Sequence, residues 1–302
     1  VSGEAAHLEE RLSSIEARIA KLQEMIEAGL QRQIVSLDDD FVGIRSKDGW
    51  IVAGAEEFRT VLHLADGVSS HEPGVQALLK RAVKAGDVVV DVGAHIGLIS
   101  VELARHVGRE GRVILVEPNP RSAEAARRTL LSNGFGDRFD LHLAAGGAKA
   151  GRATYFFGFN SMLGSLAVLE GSSLGSLEVD VAPLDDIVPP GQAVALVKID
   201  AEGWENEVAK GMVRLCKDSP DILVIAEFAS SHLARTGVTP TQWFDDFAAL
   251  GLSDFSLIDE QTGALSPCGV ERLMQMETAN ILLERPGAGL RRRFSRREGA
   301  RN

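Results

Sequence analysis

Cysteine is scarce. The 302 residues hold only Cys216 and Cys268, without CxxC or metal-ligand spacing, which excludes a disulfide framework and a cysteine-held metal and points to a reducing compartment, the cytoplasm. Long apolar runs are missing too. None approaches the roughly 18 residues of a membrane span, and the N-terminus is a charged segment rather than a signal peptide, so no transmembrane segment is expected. Basic charge is in deficit: a net charge of −11 argues against a general nucleic-acid binder, because phosphates require a positive face. The exception is the tail "GLRRRFSRREGARN", Gly289 to Asn302, which reads as a basic disordered end, with contact to anionic lipid or nucleic acid as the alternative. The chain begins at Val1 rather than Met, which leaves a longer parent protein open.

What is present, 45% hydrophobic and 25% charged residues, suits one sizeable α/β domain with an appendage. Leu8, Leu12, Ile15, Ile19, Leu22 and Ile26 step by four and three, a heptad seam of about three repeats. Residues 1–33 are therefore expected to form a coiled-coil helix that gives a homo-oligomer or links domains; the alternative is an amphipathic helix docked on its own domain. Residues 34–70 read as a small β element and a linker, because apolar and polar residues alternate around the turn-forming "DDD" and "KDG". The main domain is expected over 71–286 and the tail over 287–302.

Within the main domain, strands and helices alternate with short connections. Strands are expected at 88–91, 113–117, 139–144, 194–200, 222–228, 255–259 and 279–284, and helices near 97–107, 121–132, 204–216 and 240–250. Such alternation means a mostly parallel sheet covered on both faces, a Rossmann-like architecture.

The stretch "DVVVDVGAHIG" places Asp91 at the end of an apolar strand, where open α/β sheets bind ligands. Gly93 and Gly97 let the backbone approach a ligand, and the helix that follows offers its free N–H groups. Twenty residues after Gly97, "GRVILVEPNP" brings Glu117 to the next strand end, the spacing at which such sites hold a ribose diol. The loop lacks the third glycine of GxGxxG and begins with an acid. A carboxylate there repels a pyrophosphate and attracts an ammonium, so S-adenosylmethionine fits and NAD does not. Capping for Asp91 and a solvated turn for Glu117 are the plain alternatives.

A second acidic group follows in "ALVKIDAEGWENEVAKGM": Asp200 at a strand end, then Glu202 and Glu205. Acids in a first helical turn meet the helix dipole favourably, which accounts for Glu205 and Glu207 better than for Asp200 and Glu202. Together the three motifs resemble the FkbM family of S-adenosylmethionine-dependent O-methyltransferases, of the class I methyltransferase fold, over about residues 71–285. The resemblance implies a seven-stranded sheet with strand seven antiparallel, and methyl transfer to a hydroxyl of a carbohydrate, glycoconjugate or related natural product. It implies cofactor contacts at Asp91, Gly93, Gly97 and Glu117, with Ala94, His95, Pro118, Asn119, Ala144 and Ala145 around them. The family often has Asn where this chain has His95.

Methyl transfer to oxygen requires an aligned hydroxyl and a base for its proton. Candidates are Asp200, Glu202, Glu227 at the end of "DILVIAEF", and His232, for which the sequence shows no orienting partner. Asp200 and Glu227 end neighbouring strands, where a Mg²⁺ is an option rather than the expectation because no third ligand is evident. The long glycine-rich stretch from Tyr155 to Ser176 reads as a binding loop, with Phe156, Phe157 and Phe159 either stacking on a ring or forming an edge strand. The rival functions are a nicotinamide-dependent oxidoreductase and a non-catalytic coiled-coil scaffold.

Overall fold

The computed structural model describes residues 34–46, 49–55, 72–157, 164–166, 175–287 and 290. The heptads, Phe159 and most of the basic tail lie outside the described residues. Three short strands open the described chain: β1 (Ile34–Ser36), β2 (Phe41–Ser46) and β3 (Gly49–Gly54), paired antiparallel in that order. The "DDD" stretch is their first turn, since the Asp38 carboxylate accepts from the Asp40 and Phe41 N–H groups at 2.9 and 2.8 Å, a side-chain mimic of a backbone turn.

The main domain then runs α1 (Pro73–Ala82), β4 (Val88–Val92), α2 (Leu98–Val107), β5 (Arg112–Val116), α3 (Pro120–Ser132), β6 (Phe139–His142). A side sheet follows: β7 (Ala145–Gly146), β8 (Gly151–Phe157) and β9 (Gly175–Ala182). After it come α4 (Leu184–Ile187), β10 (Leu196–Ile199), α5 (Glu205–Lys210), α6 (Val213–Asp218), β11 (Leu223–Ala229), α7 (Ser230–Thr236) and α8 (Pro240–Ala248). The chain closes with β12 (Asp254–Ile258), β13 (Leu265–Pro267), α9 (Val270–Leu273) and β14 (Thr278–Glu284).

The large sheet has the order β13-β12-β14-β11-β10-β4-β5-β6. From β6 to β11 all neighbours are parallel, whereas β14 runs antiparallel to both β11 and β12. The expected seven strands with the last reversed are all there, but the sheet has eight, because β13 folds back on β12 as an antiparallel edge. The central strands are apolar on both sides. One face packs on α1, α2 and α3 through residues such as Leu79, Leu103 and Leu130. The other packs on α5, α6 and α8 through Val208, Leu215 and Trp243, as a parallel sheet requires. None of the described helices is long and apolar enough to cross a membrane.

Two local outcomes differ from expectation. The single helix expected at 204–216 is two, α5 and α6. Between them a Cβ on Gly211 would lie 2.0 Å from the Gly147 carbonyl oxygen, so the chain turns where two backbones touch. Phe156 and Phe157 belong to β8, the edge-strand alternative.

The small N-terminal sheet is fastened to α3. Asn133 accepts from Trp50 N–H at 3.1 Å and donates to Trp50 C=O at 2.6 Å, and Thr129 Oγ1 accepts from Val52 N–H at 2.9 Å. Its apolar face, with Ile44 and Ile51, reaches Ile96 in the glycine loop. Asn133→Ala leaves both Trp50 backbone groups without their partners; we expect a loss of about 1–3 kcal/mol in urea unfolding, and an unchanged midpoint contradicts the fastening.

Candidate active site

The glycine loop is built by contact with the next strand. Gly93 has φ 77, and a Cβ there would lie 1.8 Å from the Asp200 carbonyl oxygen. No other residue fits. Gly97, φ 86, precedes α2. Asp91 is 2% exposed, and its Oδ2 accepts from Ser100 Oγ at 2.5 Å. Burial pushes its pKa up to about 6, and the Ser100 bond opposes the rise.

Glu117 ends β5 facing the same space. Its Oε2 accepts from His95 N–H at 2.8 Å and its Oε1 from Asn119 N–H at 2.9 Å, which fixes the carboxylate against two loops. Burial still pushes its pKa up to about 7. Asn119 also caps α3 by accepting from Arg121 N–H at 3.0 Å.

Beyond the loop, β10 carries a buried cation beside Asp91 in register, Lys198. Its Nζ lies 3.3 Å from Asp200 Oδ2 and 3.5 Å from Glu72 Oε1. Burial disfavours the ammonium, but Asp200, Glu72, Glu227 and Asp91 outweigh it and raise the pKa above the ordinary lysine value. Glu72 stands just before α1 and also accepts from Asn280 Nδ2 at 2.7 Å.

Glu205 takes the helix-terminus role: its Oε1 accepts from the Ala201 and Gly203 N–H groups at 3.0 and 3.1 Å. That turn holds Glu202 at φ 52 with its Oε2 3.2 Å from His232 Nε2. His232 Nδ1 is 3.8 Å from Glu227 Oε2, too long for a hydrogen bond, so the orienting partner that the sequence did not show is Glu202. Burial, then Asp200 and Glu205, push Glu202 up to about 8. Burial and then Asp200 also push Glu227 well above the carboxylate range. Burial and then Arg235 lower the pKa of His232, with Asp200 opposing them. Oxygens of Asp200, Glu202 and Glu227 lie within 4.8 Å of one another, close enough to ligate a metal ion; the third ligand not evident in the sequence is Glu202.

One cavity of about 510 Å³ unites these groups. Asp91, Gly93, Ala94, His95, Glu117, Pro118 and Ala145 line it, as do Asp200, Glu202 and Glu227. Gly97, Asn119, Ala144 and His232 are not among the residues that line it. Sequence reasoning missed Glu72 and Asn280, which are 208 residues apart, and gave no role to Lys198. The lysine had a visible signal, a lone charge in the apolar strand "ALVKI"; Glu72 had none. Among the described residues, the three non-glycine positions with positive φ are Glu72, His95 and Glu202, and all three line this cavity. Strain of that kind persists where surrounding structure imposes it, commonly at functional sites.

Comparison with known proteins gives a coherent result. The sequence model of the methyltransferase FkbM domain matches residues 91–251, just over half the chain. A protein of Pyrobaculum calidifontis described as "Probable cobalt-precorrin-6B C(15)-methyltransferase (decarboxylating)" is 30% identical over 158 residues, 49% of this chain and 80% of that protein. Solved structures with similar chains include a SAM-dependent O-methyltransferase of Thermotoga maritima, at 12% identity, TM-score 0.43, 80% of this chain and 77% of that one. Another is Aeropyrum pernix fibrillarin with natively bound S-adenosyl-L-methionine, at 14% identity, TM-score 0.39, 83% of this chain and 99% of that one.

The raised carboxyls predict a pH dependence of stability. Asp91, Glu117, Glu202, Glu205 and Glu227 all hold their protons more tightly folded than unfolded. Their contribution is full below the unfolded carboxylate pKa and is lost as pH rises through their folded pKa values of about 6 to 9. Urea midpoints of the ligand-free protein should fall from pH 5 to pH 8.5, and the fall should be shallower for Glu117→Gln; a flat or rising profile contradicts the site's electrostatics.

Proposed function

The chain belongs to the FkbM methyltransferase family, and from that premise we propose that it transfers a methyl group from S-adenosylmethionine to a hydroxyl of a saccharide or related small molecule. The observation that carries this reading is Glu117, buried with both oxygens fixed, sharing one cavity with the Glu202–His232 pair. The residues fit the donor. Glu117 keeps lone pairs for a ribose diol, and the acids around Gly93 suit a ligand with positive charge. Lys198 is the one lysine or arginine among the described residues that line the cavity, and it is already paired with carboxylates. A pyrophosphate therefore finds no counter-charge, which disfavours the nicotinamide alternative.

When bound, the donor supplies an electrophilic methyl group on a sulfonium. The protein's part is to place the acceptor oxygen and remove its proton. Glu202 suits the proton removal, because a pKa of about 8 makes it a better base than an ordinary carboxylate, and His232 fixes its direction. Asp200 is committed to Lys198. Glu227 lies on the other side of His232 and lines the same cavity. Gln261, Thr278 and Asn280 complete the lining with hydrogen-bonding groups of the kind that hydroxyl-rich acceptors require.

Calorimetry tests the donor. S-adenosylhomocysteine should bind and NAD should not, and Glu117→Ala should lose about 10-fold or more in affinity, as for a charge-assisted bond. Micromolar NAD binding without S-adenosylhomocysteine binding refutes the assignment.

The base is tested once product mass spectrometry on a sugar panel has identified an acceptor. Glu202 must be ionised to accept a proton, so turnover should rise with pH through about 8. Glu202→Gln should cut it about 10²-fold or more and abolish that limb, with S-adenosylhomocysteine affinity within about 2-fold of wild type. A retained limb moves the role to another residue.

A further inference from the structure

Resting on that reading, we propose that Ser165, bridged to β8 of the side sheet, is a positioning residue for Glu202. Its Oγ donates to the Glu202 carbonyl oxygen at 2.8 Å and so holds the strained turn that presents the Glu202 carboxylate to His232 and the cavity. The sequence motifs do not mark this serine. It lies 37 positions from Glu202, and the two meet only because the side sheet packs against the turn after β10.

The serine is itself firmly placed. Its backbone exchanges two hydrogen bonds with Phe156 of β8, at 2.8 and 2.9 Å, and β8 is paired with β9 along its whole length, from Gly151 to Phe157. A Cβ on the neighbouring Gly164 would lie 1.6 Å from Tyr155 Oη, so the backbone here rests on the tyrosine. Ser165 is 1% exposed. A hydroxyl buried to that degree costs free energy unless it is bonded, and the Glu202 carbonyl satisfies it. Gly164, Ser165 and Leu166 line the cavity, but the serine hydroxyl is committed to backbone and acts on the chemistry through Glu202.

The turn needs this support. Glu202 has φ 52 and Gly203 φ 102, two left-handed values in succession, and a residue other than glycine keeps such a value only where its surroundings impose it. Two restraints act on other groups of the turn. Glu205 Oε1 accepts from the Ala201 and Gly203 N–H groups, and α7 closes the far side, where a Cβ on Gly203 would lie 3.0 Å from the His232 carbonyl oxygen. Ser165 adds the restraint on the Glu202 carbonyl. Because the peptide unit is planar, holding that carbonyl limits ψ at Glu202, and with it the direction in which the side chain leaves the backbone.

Ser165→Ala keeps both backbone bonds of the bridge and removes only the hydroxyl. With an acceptor identified, it should lower kcat about 10-fold, the cost of a slightly misplaced base, while the acceptor KM and the S-adenosylhomocysteine affinity stay within about 2-fold of wild type. Added to Glu202→Gln it should cost less than about 2-fold more, because a residue that acts through another is not additive with it. The ligand-free protein gives a second reading that needs no acceptor. The side-chain ¹⁵N signals of His232, identified by their loss in His232→Gln, report on the carboxylate 3.2 Å away, and Ser165→Ala should move them in the same direction as Glu202→Gln does. Wild-type turnover in Ser165→Ala beside an impaired Glu202→Gln overturns this proposal alone, as do His232 signals that Ser165→Ala leaves in place. A loss that persists in full in the Glu202→Gln background makes Ser165 a packing residue and overturns it as well. Full turnover in Glu202→Gln defeats the base assignment, and this proposal with it.

Discussion

An ammonium buried in the middle of a parallel sheet is the constraint on which the site is built. Lys198 sits in β10 with almost no exposure, and taking such a charge out of water costs several kcal/mol unless partners are brought to it. They are brought from far apart in the chain: Asp200 from the end of its own strand, Glu72 from the start of α1, and, through Glu72, Asn280 from β14. A requirement of electrostatics thus joins three elements at one point. That point is one end of the cavity.

Close backbone contact secures the same strand tips that charge draws together. Gly93 touches the Asp200 carbonyl, Gly93 N–H donates to Val116 C=O at 2.9 Å, and Asp200 N–H donates to Val92 C=O at 3.0 Å. The tips of β4, β5 and β10 are therefore stitched before any side chain is considered. His95 and Glu202, held in left-handed conformations, emerge from these stitched turns. The strain costs of order 1–3 kcal/mol at each position, and the packed sheet holds it in place.

The acidic stretch after β10 shows how one short segment divides its labour. Glu205 turns back to bond two N–H groups of the turn, so its charge serves the backbone. Glu202, three residues earlier, is lifted by that same turn toward His232. The carboxylates share a residue type and a segment, and only the direction of the side chain distinguishes a cap from an acid that lines the cavity.

Much of the fold was legible in the chain itself. Apolar runs such as "DVVVDV" and "GRVILV" read as buried strands, and glycines marked the loop. Asp91 and Glu117 could be placed at strand ends because strand periodicity and a fixed loop length determine where a strand stops. The break at Gly211, the added strand β13, the partner of His232 and the place of Glu72 beside Lys198 could not be read this way. Each depends on a residue distant in sequence: the Gly147 carbonyl, the edge of β12, Glu202 opposite α7, Lys198 beneath α1. Local pattern records what a residue can do with its neighbours in the chain, and so it determined the sheet, the loop and two of the acids. Which charges share a cavity is decided by the burial of Lys198 and the contact of strand ends, and those exist only once the sheet has closed.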